Sequence, residues 1–271
     1  MSFIFRIISF VILVTVQLLF AQDKTNYVNL GNQFYDAGEF KKAIGCYSKA
    51  IELNLNDDNA YYFRASAKYS IGDLQGAIKD YSIAIEIKPG NFLAYDARGI
   101  TKFNLGLYKQ AIEDFTESIT IFNDYAEAYN NRAFTKVQLG NYSDAIVDYD
   151  KVLSLDSSND GALYNRGIAK EKLKDYGGAI KDFSKLIQLV SDNPQNYLAR
   201  GNVYCELKDY KAAITDYDTS INLNKDLGEA YLKRGVAKQH SKNIKGAIAD
   251  WGKAKELNVP EATKYLTRFS K

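Results

Sequence analysis

Apolar positions along this chain follow a helical rhythm that restarts at a fixed distance. From Tyr142 onward, Tyr142, Ala145, Ile146, Tyr149, Val152 and Leu153 follow i, i+3, i+4, i+7 spacing, which makes one apolar stripe. The dipeptide Ala-Ile within that stripe recurs at Ala43-Ile44, Ala77-Ile78, Ala111-Ile112, Ala145-Ile146, Ala179-Ile180, Ala213-Ile214 and Ala247-Ile248. Every interval is 34 residues. Windows counted from Lys24 run 24–57, 58–91, 92–125, 126–159, 160–193, 194–227 and 228–261, with no insertion or deletion. A period of this length predicts a repeat array in which each unit buries its apolar face against its neighbours.

Each window predicts two helices. In the second, an aromatic follows the Ala by four residues: Tyr47, Tyr81, Phe115, Tyr149, Phe183, Tyr217 and Trp251. In the first, an anchor (Tyr27, Tyr61, Tyr95, Tyr129, Leu163, Tyr197, Tyr231) is followed four residues on by Gly31, Ala65, Gly99, Ala133, Gly167, Gly201 or Gly235. A small residue one turn from a large one lets the partner helix approach closely, and a short turn then suffices to join the pair. The joining segments, such as "LGNY" and "LKDY", carry Gly for a left-handed helix end or Asp and Asn as caps. Pro89-Gly90-Asn91 and Asn193-Pro194 are turn and helix-start signals between windows. The tail "ATKYLTRFSK", 262–271, continues the first-helix pattern with Tyr265 at the anchor phase, and is predicted to be a capping helix.

On these residues the chain resembles the tetratricopeptide repeat family. The period, the aromatic anchor, the small residue four on, the Ala of Ala-Ile and the aromatic beyond it all match, while the family's final Pro is kept only as Pro89, with Pro260 one place late. The resemblance implies an all-α, right-handed superhelical solenoid of seven helix-turn-helix repeats plus the capping helix. It also implies that the first helices line a concave groove, which most members use to hold a peptide or another protein.

One feature departs from that family. The seventh residue of each window, commonly apolar in relatives, is Leu30, then Arg64, Arg98, Arg132, Arg166, Arg200 and Arg234. The residue before the second-helix aromatic is Cys46, then Asp80, Asp114, Asp148, Asp182, Asp216 and Asp250. The two series switch together, which predicts a ladder of ion pairs between helices. The flat guanidinium fork suits a partly buried carboxylate. Two registers fit: each Arg with the Asp of its own window, or each Asp with the next window's Arg, for which Arg268 in the tail stands in phase. A basic stripe for acidic ligands is the functional alternative. Lys68, Lys102, Lys136, Lys170 and Lys238, one turn beyond the arginines, read as solvated or snorkelling.

A solenoid binds through its surface. The first-helix side away from the anchor carries the candidate groove residues: Asn29, Asn32, Tyr62, Phe63, Tyr69, Phe103, Asn130, Asn131, Phe134, Tyr164, Asn165 and Asn202. Aromatics there can hold a guest's apolar side chains, and Asn can both donate to and accept from a guest's backbone. Packing between adjacent first helices is the alternative for each aromatic. The groove positions of the first three windows carry no Lys or Arg, which argues against a clamp for C-terminal carboxylates. Windows one to four give the more apolar wall, and the first half is the preferred site.

Composition fits a folded soluble chain: 271 residues, 46% apolar, 25% charged and a net charge of +2. So small a charge leaves no electrostatic footprint for nucleic acid. The N-terminus differs: Arg6 precedes an apolar run from Ile7 to Phe20, with Ala21 as a cleavage position. Residues 1–21 read as a secretory signal peptide or, uncleaved, as a membrane anchor. Either places the repeats in an extracytoplasmic space, periplasmic or secreted, with any membrane contact confined to that segment. Chemistry is sparse. His240 is the lone histidine, Cys46 and Cys205 are too many repeats apart for a disulfide, and no cluster has metal spacing. No cofactor, metal or catalytic residue is expected. The predicted function is a non-catalytic scaffold or adaptor for a protein or peptide partner. The alternative is a structural module that self-associates, or joins an envelope complex, through its convex face or ends.

Overall fold

The computed structural model describes residues 23–269, which are helical throughout and contain no strand among them. The signal or anchor segment, 1–21, lies outside the described residues. The helices are α1 (23–36), α2 (Phe40–Leu53), α3 (Asp58–Ser70), α4 (Leu74–Ile87), α5 (Phe92–Asn104), α6 (Tyr108–Ile121) and α7 (Ala126–Gln138). They continue as α8 (Tyr142–Leu155), α9 (Asp160–Lys172), α10 (Tyr176–Leu189), α11 (Pro194–Glu206), α12 (Tyr210–Leu223), α13 (Gly228–His240), α14 (Ile244–Glu256) and α15 (Glu261–Phe269). First helices α3 to α13 start at Asp58, Phe92, Ala126, Asp160, Pro194 and Gly228, one sequence period apart. The tail helix begins at Glu261, the last residue of the seventh window. Among the described residues, no helix is long and apolar enough to cross a membrane.

The chain divides into two compact units, one through Thr135 and one from Lys136, with the division inside α7. Each is a run of stacked helical hairpins. In the first, α3 packs on α4 and α5 on α6, while α2 against α3 and α4 against α5 join successive hairpins. In the second the hairpins are α9–α10, α11–α12 and α13–α14, joined through α8 to α9, α10 to α11 and α12 to α13, with α15 against α14.

Local chemistry starts and ends these helices. Asp57, Asp73, Asn91, Asn159, Asp175, Asp209 and Asn243 each accept a backbone N–H of the helix they open, satisfying one of its orphan donors. The turn within each hairpin needs one left-handed residue. Gly38, Gly72, Gly106 and Gly140 supply it in windows one to four. Lys174, Lys208 and Lys242 adopt it in windows five to seven, at φ near +62° to +64°. The Cβ of a lysine there costs about 1 kcal/mol relative to Gly, so the hairpin geometry overrides local preference.

The second-helix aromatic is the core of each repeat. Tyr47, Phe115, Tyr149, Phe183, Tyr217 and Trp251 are fully buried, each contributing about 2–3 kcal/mol by removal from water. The small residue of the first helix is what admits the ring. A Cβ added at Gly99 would lie 2.7 Å from Phe115, and one at Gly167 would lie 2.8 Å from Phe183.

Candidate functional site

The recurring arginine is held between helices. Arg98 donates from Nε and Nη2 to the two carboxylate oxygens of Asp114, at 3.0 and 2.7 Å. Arg64 with Asp80, Arg166 with Asp182, Arg200 with Asp216 and Arg234 with Asp250 repeat the same fork. These pairs lie within one window. Arg268 rests against the Phe269 ring, and Asp250 takes its cations from Arg234 and Lys238.

The third guanidinium nitrogen reaches the other way. Nη1 of Arg64, Arg98, Arg132 and Arg200 donates to Ser48, Ser82, Thr116 and Ser184. In Arg166 and Arg234 it donates to Asp150 and Asp218, both at 2.6 Å. Every one of these acceptors directly follows the aromatic of the preceding window. Arg64, Arg98, Arg166, Arg200 and Arg234 therefore each close their own hairpin and tie it to the one before, and Arg132 is tied to the one before. The hydrogen bond to Asp216 holds Arg200 above the ordinary guanidinium value, so the cation persists at any working pH.

The lysines differ from their sequence reading. Lys68, Lys102, Lys136, Lys170 and Lys238 place Nζ 2.7–2.9 Å from Asp80, Asp114, Asp148, Asp182 and Asp250. One helical turn beyond the Arg is the same helix face, so both cations converge on one carboxylate. In window six the position is Tyr204, over which the Arg200 guanidinium lies.

The groove residues follow the first-helix wall. In the first unit that wall is continuous through contacts one repeat apart: Asn104 donates to the Tyr69 hydroxyl at 2.6 Å, and the Phe103 and Phe134 rings meet at 5.5 Å. Phe63 stacks on Tyr47, and Tyr62 packs against Phe63 and Tyr81. Tyr62, Phe63, Tyr69 and Phe103 stay half-buried, and Phe134 is 40% exposed. A cavity of about 380 Å³ opens among Asn32, Tyr35, Asp36, Tyr47, Tyr62, Phe63 and Ser66. In the second unit, Tyr164 and Asn165 border a cavity of about 340 Å³ with Asp160, Leu186 and Asn196. Asn29 is exposed.

Two of the asparagines serve the core tyrosines, and a third, Asn131, donates to Asp96. Asn32 accepts from Tyr47 and Asn202 from Tyr217, at 2.7 and 2.9 Å, while Ser66 meets the Tyr81 hydroxyl at 3.0 Å. Where the core aromatic is Phe115 or Phe183, the same register holds Ile100 or Ile168. A buried hydroxyl needs a partner and a phenyl ring does not. Window four breaks the rule: its register holds Phe134, and the Tyr149 hydroxyl is buried without a hydrogen bond. Asn130 likewise has a buried side-chain oxygen that accepts nothing.

Asp96 was not singled out by the sequence. It is 6% exposed, accepts from Asn131 at 3.1 Å and from Tyr125, and faces Tyr62 of α3 and Glu127 of α7. Burial raises its carboxyl to about 6, and the charge of Glu127 adds to this, against the opposing hydrogen bonds. A folded value above the unfolded one means that protonation favours the fold. This contribution is fullest below the ordinary value of 3.8 and is lost as pH rises through about 6. Asp96→Asn keeps the acceptor for Asn131. It should therefore be more stable than the parent at pH 8 by on the order of 2 kcal/mol, with the difference vanishing near pH 4. Urea denaturation across this range measures it. A difference independent of pH would contradict the assignment.

Other chemistry is thin. Among the described residues no group of three or more His, Cys, Asp or Glu could hold a metal ion. Cys46 and Cys205 are free thiols, each half-buried; burial pushes the Cys205 thiol up, and its Sγ lies 3.4 Å from the Tyr217 hydroxyl. His240 is exposed and stacked on Tyr210.

Comparison with known families matches the description "Tetratricopeptide repeat" at residues 58–91, 126–159 and 161–193. The description "TPR repeat" matches at 31–72 and 201–240. The chain belongs to the tetratricopeptide repeat family. Solved tetratricopeptide structures share its fold. The C-terminal part of a TPR repeat-containing protein from Cytophaga hutchinsonii has 18% identity over 88% of this chain and 99% of its own, with a TM-score of 0.76. A tetratricopeptide repeat protein from Parabacteroides merdae has 20% identity, covering 92% and 100%, with a TM-score of 0.66. YrrB, a TPR protein with an unusual peptide-binding site, has 19% identity, covering 72% and 97%, with a TM-score of 0.62. Comparison with curated protein sequences finds no match.

Proposed function

We propose that this tetratricopeptide repeat protein is a non-catalytic scaffold or adaptor that holds a peptide or protein partner along its first helices, outside the cytoplasm. The observation that carries the reading is the first-unit wall, with half-buried aromatics at Tyr62, Phe63 and Phe103 around and beside an open cavity. Aromatic rings in a cleft offer large, rigid contact area, the kind that anchors protein interfaces. The ladder arginines turn inward between helices, so the wall is left to these rings and to neutral or acidic groups. Relatedness supports the same reading: members of the family serve typically as interaction scaffolds, and YrrB carries a peptide-binding site. The extracytoplasmic location rests on the apolar run from Ile7 to Phe20 behind Arg6.

Photo-crosslinking from Phe63 and Phe134 in the producing cell tests the reading. Links to a distinct protein, abolished by a competing partner fragment, are the expected result. Links only between copies of this chain would instead assign the surface to self-assembly.

A further inference from the structure

Eight aspartates are buried among the described residues: Asp57, Asp80, Asp96, Asp114, Asp148, Asp182, Asp216 and Asp250. Seven have a lysine or arginine at ion-pair distance. Asp96 has only the neutral donors Asn131 and Tyr125. A buried carboxylate without a countercharge is costly, and such groups concentrate where a protein binds something.

Asp96 is not itself a lining residue of the first-unit cavity, but its charge acts on Tyr62, which is. Burial raises the hydroxyl of Tyr62, and the charge of Asp96 and the neighbouring Tyr35 add to this. Asp36 lines the same cavity, exposed and without an ion pair among the described residues. No Lys or Arg lines the cavity. The basic side chains of the same helices, Arg64, Lys68, Arg98 and Lys102, are all drawn to Asp80 and Asp114. The place therefore combines aromatic faces with two carboxylates and lacks a cation. Elsewhere the fold satisfies this combination internally, with the Arg64 guanidinium 5.3 Å from the Tyr61 ring centroid and that of Arg98 5.5 Å from Tyr95.

We infer that the wall formed by Tyr35, Asp36, Tyr62, Phe63 and Asp96 receives a basic segment of a protein partner. A lysine or arginine lies over Tyr62 between the two carboxylates, and a neighbouring apolar side chain enters against Phe63. The stem of a long cation packs on the rings, and its charge supplies the partner that Asp96 lacks. This deepens the groove reading above and rests on it.

The test uses the full chain and three rhodamine-labelled peptides with blocked ends. Each has two phenylalanines flanking a pair of residues: lysines, glutamines or glutamates. Fluorescence anisotropy should show the lysine peptide binding about tenfold tighter than the glutamine one, with the preference fading at high salt. The glutamate peptide should bind weakest. Asp36→Asn and Asp96→Asn should each remove most of the preference, while Glu117→Gln, on α6, should leave it intact. Circular dichroism confirms that each variant is folded. Equal affinity for the lysine and glutamine peptides, with loss of both in Phe63→Ala, would overturn the cation site and leave the groove reading standing. Absence of binding by all three would overturn the cation site and remove support from the groove reading as well. A preference equally reduced by Glu117→Gln would assign it to the general field of the chain and overturn the site.

Discussion

Asp114→Leu is expected to destabilise the protein by about 3–5 kcal/mol, more than Arg98→Leu at the same rung. The reason is the number of cations each change strands. Asp114 neutralises both Arg98 and Lys102, whose side chains are only 17% and 12% exposed, so its removal leaves two nearly buried positive charges facing each other. Removing Arg98 leaves Asp114 still paired with Lys102 at 2.7 Å. That single change should cost about 1–3 kcal/mol, as a lost hydrogen-bonded charge whose partners keep some compensation. The double change Arg98→Leu with Asp114→Cys copies the first window, where Leu30 and Cys46 hold these positions, and should recover part of the loss. Urea denaturation of the set forms a double-mutant cycle. Equal costs for the two single changes would contradict the shared carboxylate.

Trp251→Ala is expected to cost about 3–5 kcal/mol, and to do so locally. The indole is fully buried and stacks on Tyr265 at 4.9 Å and near Phe269 at 5.4 Å, both in α15. Those rings are the main hold on the terminal helix, which packs on α14. In a repeat stack the loss should appear first as fraying of α15 and the end of α14. Hydrogen exchange should show protection lost from 244–269 while the first unit keeps its own. Uniform loss across the chain would mean a more cooperative molecule than a nearest-neighbour stack. Trp251→Phe should retain most of the stability, since Nε1 is buried without a hydrogen-bond partner and gives up nothing when removed.

The inward-turned ladder and the wall proposed to bind a partner are linked by charge. Six arginines at one register could have made a basic surface. Placed instead between helices, they meet the hydroxyls or carboxylates of the preceding repeat, and Arg64, Arg98, Arg166, Arg200 and Arg234 are matched by aspartates as well. In the first unit the wall beside Tyr62 then keeps the negative charge of Asp36 and Asp96. Binding at such a wall is expected to discriminate by charge more than by shape, because the cavity is open and its rings accept many apolar groups.

Several features are legible in the sequence alone. The period, the helix pairs, the ring opposite a small residue, and the common phase of Arg and Asp all depend on spacing along one chain, and spacing determines which face of a helix a residue occupies. Which group a side chain on that face finally meets depends on how neighbouring hairpins are placed, and no local rule carries that. So the sequence left the Arg–Asp register open, and the structure answered it in two directions: two nitrogens to the same window and one to the window before. It left the lysines in solvent, where the structure takes them to the same carboxylates. It assigned Asn32 and Asn202 to a guest, where the fold uses their oxygens for Tyr47 and Tyr217. Comparing windows for Tyr with Asn or Ser, and Phe with Ile, would have revealed that pairing.

By itself the sequence determined the helical class, the repeat and the face on which each residue stands, because backbone geometry converts spacing into direction. Only the tertiary structure decided that Asp96 would be buried with neutral neighbours. Its surroundings, Tyr62, Tyr125, Glu127 and Asn131, come from flanking repeats, and their convergence exists only once the hairpins are stacked.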